Sequence, residues 1–184
     1  AIPLAVRRAQ DMFVLMFLLR GLPFVDLAYL RKSDLRDNVI TYRRRKTGRP
    51  LSVTLTPEAL ELLKKYMNRD SHSPYLFSLL KSGEGTKEAY REYQLALRSF
   101  NQQLTLLGEV LGLNDKLSSY TARHTWATTA YYCEIHPGII SEAMGHSSIK
   151  VTETYLKPFR NKKIDEANNQ IIDFVKHSIA GVVS

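Results

Sequence analysis

The stretch AMGHSSIKVTETYLK, which opens at Ala143, places His146 directly after Gly145 and Tyr155 a few residues further on. Upstream, SYTARHTW carries Tyr120, Arg123 and His124, and RRRKTGRP carries Arg43, Arg44, Arg45 and Lys46. A phenol titrates near about 10 and is a weak nucleophile at neutral pH, so Tyr155 needs a cationic pocket and a hydrogen-bond partner before it can attack anything. Arginine suits such a pocket when the target is a phosphate, because its planar guanidinium grips two oxygens at once. Arg123 near the start of a helix adds to the preference of backbone N–H groups there for an anion. Against this chemistry stands a plainer reading, in which His146 and Tyr155 only pack at a helix junction and His124 is a structural histidine. A metal reading would pair His136 with His146, but no Cys or carboxylate stands at ligand spacing beside them.

These residues need elements to hold them. Leu4, Met12, Leu15, Met16 and Leu19 recur at helical spacing and predict a buried helix over 4–19, interrupted by Pro23. Phe24 to Leu30 reads as a second, short helix. Over 38–55 the period changes to two, with Ile40 and Tyr42 alternating with Val39 and Thr41, and Leu51, Val53 and Leu55 alternating with Ser52 and Thr54. Two such runs around Thr47-Gly48-Arg49-Pro50 predict a hairpin, with Arg44 and Lys46 on the Ile40 face and Arg43 and Arg45 on the other. Thr56-Pro57-Glu58 is a helix start with a capping hydroxyl and a proline at the first position, and predicts a helix over 57–67. SHSP at 71–74 is a loop. Helical patterns follow over 86–111, over 118–134 with Ser118 or Ser119 as cap, from Pro137 to Met144, over 148–156 and over 164–183. On the 118–134 helix, Trp126, Ala130 and Cys133 form the expected core face, and Gly145 ends the helix that Pro137 begins. The sum is a mainly α fold with one small antiparallel β-hairpin or sheet (α+β), in a single domain over residues 1–184.

The bulk composition narrows the partners. The 184 residues suffice for one real core, and 26 Lys+Arg against 18 Asp+Glu give a formal net charge of +8. Such an excess points to a polyanion, with nucleic acid first, and the Arg43–Lys46 tip could reach into a groove or over a phosphate. One cysteine excludes an internal disulfide and a Cys-based zinc cluster, and it fits a reducing compartment. The apolar run MFVLMFLL is far shorter than the roughly 20 residues a membrane span requires. The chain opens AIPLAVRRAQ without a Met, which fits a piece of a longer protein.

Taken in order, Lys46 in Lys-Thr-Gly, Arg-His-Thr-Trp-Ala-Thr from Arg123, Met-Gly-His-Ser-Ser around His146, and Thr-Glu-Thr-Tyr ending at Tyr155 resemble the catalytic domain of tyrosine recombinases of the phage integrase family. The resemblance covers about residues 12–160. It implies a tyrosine that attacks a DNA phosphodiester, forms a 3′-phosphotyrosyl bond and frees a 5′-hydroxyl, with no ATP, metal or other cofactor. By that resemblance Tyr155 is the nucleophile, Arg123 the second catalytic arginine, Lys46 the donor to the leaving oxygen and His146 a hydrogen-bond donor to the phosphate. Arg43, Arg44, Arg45 and Lys150 are the expected DNA-binding cations. Two positions depart from the pattern. The family's first arginine falls on Pro23, three residues before Asp26, and Arg20 stands one helical turn earlier as its expected replacement. Tyr120 stands where the family has His or Lys, and a phenol hydrogen-bonds a phosphate without titrating near neutral pH. The resemblance further implies double-stranded DNA and a homo-oligomer on it, a tetrameric synapse, as partners. It implies a missing N-terminal DNA-binding domain and a 164–184 helix that docks in trans. A cytoplasmic, nucleoid-associated mobile-element enzyme with no membrane association is expected. A type IB topoisomerase-like nicking-closing enzyme and a catalytically idle DNA-binding module are the alternatives.

Overall fold

The computed structural model describes residues 2–156, 158 and 161–180. The helix expected from the first apolar repeat is α1 (Leu4–Leu18), and it buries Val6, Ala9, Met12, Leu15 and Met16 along one stripe. Behind it come α2 (Phe24–Tyr29), a 3-10 turn (Lys32–Asp34), and strands β1 (Leu35–Arg36), β2 (Val39–Arg43) and β3 (Pro50–Thr54) in an antiparallel sheet of order β1-β2-β3. The predicted hairpin is β2–β3, with Ile40 opposite Val53 and Arg43 opposite Pro50. Its period-two pattern sends Ile40 and Val53 into the core and leaves the Thr41 and Ser52 hydroxyls 3.2 Å apart on the other face. Strand β1 was not expected. Asp37 and Asn38, both with positive φ (47° and 61°), close the short β1–β2 hairpin with the residue types that tolerate that region.

Helices α3 (Pro57–Tyr66) and α4 (Lys87–Val110) start as the sequence predicts for α3 and by the same device for α4. The Thr56 hydroxyl accepts from Ala59 N at 3.3 Å and the Thr86 hydroxyl from Ala89 N at 3.1 Å. The remaining helices are α5 (Thr121–Tyr132), α6 (Pro137–Ala143), α7 (Ile149–Glu153) and α8 (Asn161–Ala180). Residues 181–183 of the predicted terminal helix lie outside the described residues. Helix α5 begins later than expected, because the Thr121 hydroxyl takes the Ser118 N–H at 3.0 Å and Tyr120 occupies the capping position. Its core face is Ala122, Arg123 and Ala127, with Trp126 and Ala130 packed beside it. Cys133 is exposed, not part of that face, since the helix ends there and the chain turns away through Glu134 at φ 62°.

Burial divides into two clusters. The larger joins α1, α2, the sheet, α3 and α4 and contains Leu15, Leu27, Ile40, Leu63, Phe77 and Leu104. The smaller holds Ala127, Ile140, Met144 and Tyr155. Two glycines make the junction possible. Gly21 (φ 68°) follows α1, and a Cβ there would sit 2.9 Å from the Arg123 backbone Cα. Gly145 (φ 64°) follows α6, and a Cβ there would meet Arg44 Cγ at 2.8 Å and Leu51 Cδ1 at 2.9 Å.

Gly21→Ala combines left-handed strain with a backbone clash and should lower stability by about 3 kcal/mol. Gly48 has a similar φ of 69° with nothing within 4 Å, so Gly48→Ala should lose only about 1 kcal/mol. Urea midpoints of the two variants check this, and equal losses would show that α5 does not press on Gly21.

Candidate active site

The two clusters meet at Arg123, which is 3% exposed. Its Nη1 donates to the Gly21 carbonyl and its Nη2 to the Met144 carbonyl, each at 2.8 Å. Burial, and then the charge of Arg44, lower its pKa, but a guanidinium starts so high that it stays protonated. Tyr155, 6% exposed, is electrostatically coupled to this guanidinium. Its backbone carbonyl accepts from Thr128 Oγ1 of α5 at 3.4 Å.

Three rings surround the Tyr155 phenol. His146 stacks on it at 5.5 Å between centroids and 11° between planes, Tyr120 lies at 6.0 Å and 25°, and His124 at 5.6 Å and 40°. The Tyr120 and Tyr155 hydroxyls are hydrogen-bonded to each other. Burial, then this bond, push the Tyr120 phenol up to about 12, so Tyr120 is a hydrogen-bonding partner and not a titrating base near neutral pH. His124 is exposed, and its ring lies beside Tyr155. Its place next to Arg123 in the chain was the available signal.

His146 is 3% exposed, and its Nδ1 lies 2.8 Å from Thr152 Oγ1. The tautomer in which Thr152 donates to Nδ1 puts the ring proton on Nε2, which has no hydrogen-bond partner among the described residues. Burial, then the charges of Arg123, Arg44 and Lys46, lower its pKa to about 4. His146 is therefore neutral at pH 7, a donor without a charge.

The hairpin tip is fastened to the same corner. Thr47 Oγ1 donates to the Gly145 carbonyl at 3.1 Å and Arg49 Nη1 to the His146 carbonyl at 2.6 Å. Lys46, directly before Thr47, is exposed, yet its charge reaches His146. Arg44 is 5% exposed and turned inward, where its Nη1 pairs with Asp26, itself 2% exposed. Arg43 bonds the Gly48 carbonyl at 3.2 Å, while Arg45 lies 3.7 Å over the Tyr29 ring and pairs with Glu84 at 2.5 Å. Lys150 is exposed on α7. Arg20, at φ 59°, is half-buried near Tyr42 and makes no hydrogen bond or ion pair among the described residues. The seam thus gathers Tyr155, Tyr120, Arg123, His146, Lys46 and Arg44, with Arg43, Arg45 and Lys150 outside it.

This order of residues is matched over 6–162 by the model of the phage integrase family. The chain belongs to the phage integrase family. It is 28% identical over 134 residues to tyrosine recombinase XerC of Haemophilus ducreyi, covering 70% of this chain and 42% of that protein. It is also 28% identical over 149 residues to tyrosine recombinase XerA of Pyrococcus furiosus, covering 79% and 49%. The chain therefore spans about half the length of the curated relatives it matches. The fold agrees with a crystal structure of XerA recombinase (TM-score 0.59, 19% identity, 90% of this chain and 61% of that one). It also agrees with the Tn1549 transposon integrase in complex with a circular intermediate DNA (TM-score 0.63, 17% identity, 89% and 59%). The expected mainly helical integrase fold with a small antiparallel sheet is the one observed.

The His146 shift has a stability consequence. Its folded pKa lies below the unfolded value of about 6.5, so the unfolded chain binds the extra proton first. The contribution is whole above about 6.5 and is lost as the pH falls toward about 4, amounting to about 3 kcal/mol. Urea unfolding at pH 7.5 and 4.5 should show this drop, reduced in His146→Gln. An unchanged drop in the variant would remove His146 as its source.

Proposed function

We propose that this chain is the catalytic domain of a site-specific DNA recombinase, of the mobile-element integrase kind, that cuts and rejoins double-stranded DNA through a 3′-phosphotyrosyl intermediate. The observation that carries the reading is the Tyr155 phenol lying in one seam with the buried Arg123 guanidinium and the partnerless Nε2 of His146. In the proposed step the Tyr155 oxygen attacks phosphorus, the bond to the 5′-oxygen breaks, and Lys46 gives that oxygen a proton. The phenol's own proton leaves through its hydrogen bond toward Tyr120 and solvent. Arg123 and His146 donate to the non-bridging oxygens, where charge develops in the transition state. A 5′-hydroxyl from a partner strand then attacks the phosphotyrosyl link and releases Tyr155. The phosphodiester energy is kept in that link, so the exchange needs no nucleotide cofactor.

The phosphate also needs a second guanidinium beside Arg123. Arg20, one turn before Pro23, and Arg44, inside the hairpin, are the two cations placed to supply it. Arg43, Arg45 and Lys150 are proposed to meet the DNA backbone outside the pocket. Exchange between two duplexes cuts four strands, and with one nucleophile per chain it calls for four copies on DNA. Helix α8 supports such an assembly, because Ile164 and Ile171 are exposed on it at 56% and 64%. Its docking on a neighbouring copy is part of the proposal.

Incubation with a nicked suicide duplex of a selected target site tests the chemistry. The expected result is a denaturation-resistant protein–DNA adduct that Tyr155→Phe abolishes and that Arg123→Ala slows by at least about 10²-fold. Salt-sensitive DNA binding without any adduct would favour an idle DNA-binding module. Relaxation of supercoils without exchange between duplexes would favour the topoisomerase-like alternative.

A further inference from the structure

Arg44 is the least expected member of the seam. The alternation of β2 carries past Arg43 to the tip, where Arg44 N donates to the Arg49 carbonyl at 2.8 Å and the Arg44 carbonyl accepts from Gly48 N at 2.7 Å. That backbone keeps Arg44 on the Ile40 side, and the side chain runs inward along Gly145, where no Cβ intervenes. Its Nη1 end is fixed by Asp26, whose other oxygen accepts from Arg45 N at 2.9 Å. Its Nε is buried and has no partner among the described residues. The only other buried side-chain nitrogen or oxygen in that condition, among the described residues, is Nε2 of His146, which directly follows Gly145. A buried donor left unpaired is costly, by about 1–3 kcal/mol. Two of them on either side of one glycine corner, beside the Arg123 guanidinium, form a set of donors that lacks its acceptor.

Resting on the strand-transfer reading, we infer that Arg44, delivered from the β2–β3 hairpin and aimed by Asp26, is the second phosphate-clamping arginine of this site. The chain position before α2 that would otherwise hold such an arginine is Pro23, whose side chain donates nothing. Asp26 lies three residues beyond it and is occupied by Arg44. The arginine thus comes from a different element, and the carboxylate that orients it stays where it was. Arg20 lacks each of these features, since no carboxylate holds it, and its side chain is only half-buried. The charge of Arg44 reaches Arg123, His146 and Tyr120. The charge of Arg20 reaches Tyr42.

The test uses the suicide duplex with an ordinary scissile phosphate and with a neutral methylphosphonate at the same position. Removing the phosphate's charge removes the need for one clamping cation while the same P–O bond is broken. Arg44→Ala should form adduct at least about 10²-fold more slowly on phosphate and recover most of that loss on methylphosphonate. A variant that merely misfolds would not recover. Arg44→Lys, which keeps the charge but not the fork, should fall between. Arg20→Ala is run in parallel. Adduct formation by Arg44→Ala at the wild-type rate, or a methylphosphonate rescue seen in Arg20→Ala and not in Arg44→Ala, overturns the inference. No adduct from the unaltered chain overturns the strand-transfer reading and this inference with it.

Discussion

Everything in the site depends on one buried cation whose terminal nitrogens are held by two backbone carbonyls. Arg123 gives its two terminal nitrogens to the carbonyls of Gly21 and Met144, and among the described residues it has no carboxylate partner. A buried guanidinium without hydrogen bonds would be prohibitively unfavourable. The two carbonyls satisfy its donors without neutralising its charge. They also belong to different packing units, Gly21 after α1 and Met144 at the end of α6, so the bond that stabilises the charge fastens the small cluster to the large one. Both helix ends must then turn sharply beside it, and both do so through glycine with positive φ.

A second layer of bonds positions groups that could not hold themselves in place. Lys46 is exposed at a hairpin tip, a location with little intrinsic rigidity. Its neighbours remove that freedom, since Thr47 and Arg49 bond the carbonyls of Gly145 and His146. The corner that carries the imidazole is therefore the one that anchors the lysine. A flexible cation gains its place from buried backbone on the far side of the seam, which suits the proton donor proposed for the leaving oxygen.

The elements were legible in the sequence because they are written locally. Apolar spacing gave α1, Thr-Pro-Glu gave the start of α3, and alternation around Thr-Gly-Arg-Pro gave the β2–β3 hairpin and the inward face of Arg44. Tyr155, Arg123, His146 and Lys46 were legible by order along the chain. What stayed hidden was pairing across long separations. Nothing in the stretch around Arg44 announces Asp26, 18 residues earlier, and nothing around Tyr120 announces a bond to a phenol 35 residues on. Arg123 and Gly21 are 102 residues apart. Periodicity tells which face a residue occupies and is silent on what meets it there. Cys133 shows the same limit, because helical spacing put it on the core face and the end of α5 took it to the surface.

The charge state of the pocket follows from these contacts. His146, held near 4, and Tyr120, near 12, are both neutral around pH 7, so neither changes the field as protons move. The cations are Arg123, Arg44 and Lys46, set against the Asp26 carboxylate, the one buried carboxylate among the described residues. That leaves a fixed positive excess around a neutral donor and two phenols. On the proposed function, an incoming phosphodiester would bring one negative charge into a low-dielectric seam with several donors, where Asp26 is already engaged by Arg44. The transition state spreads further charge over the same oxygens, and donors already in position gain most there because they need not reorganise. Tyr155 rests against His146, so the proposed nucleophile and the proposed phosphate donor lie side by side in the seam.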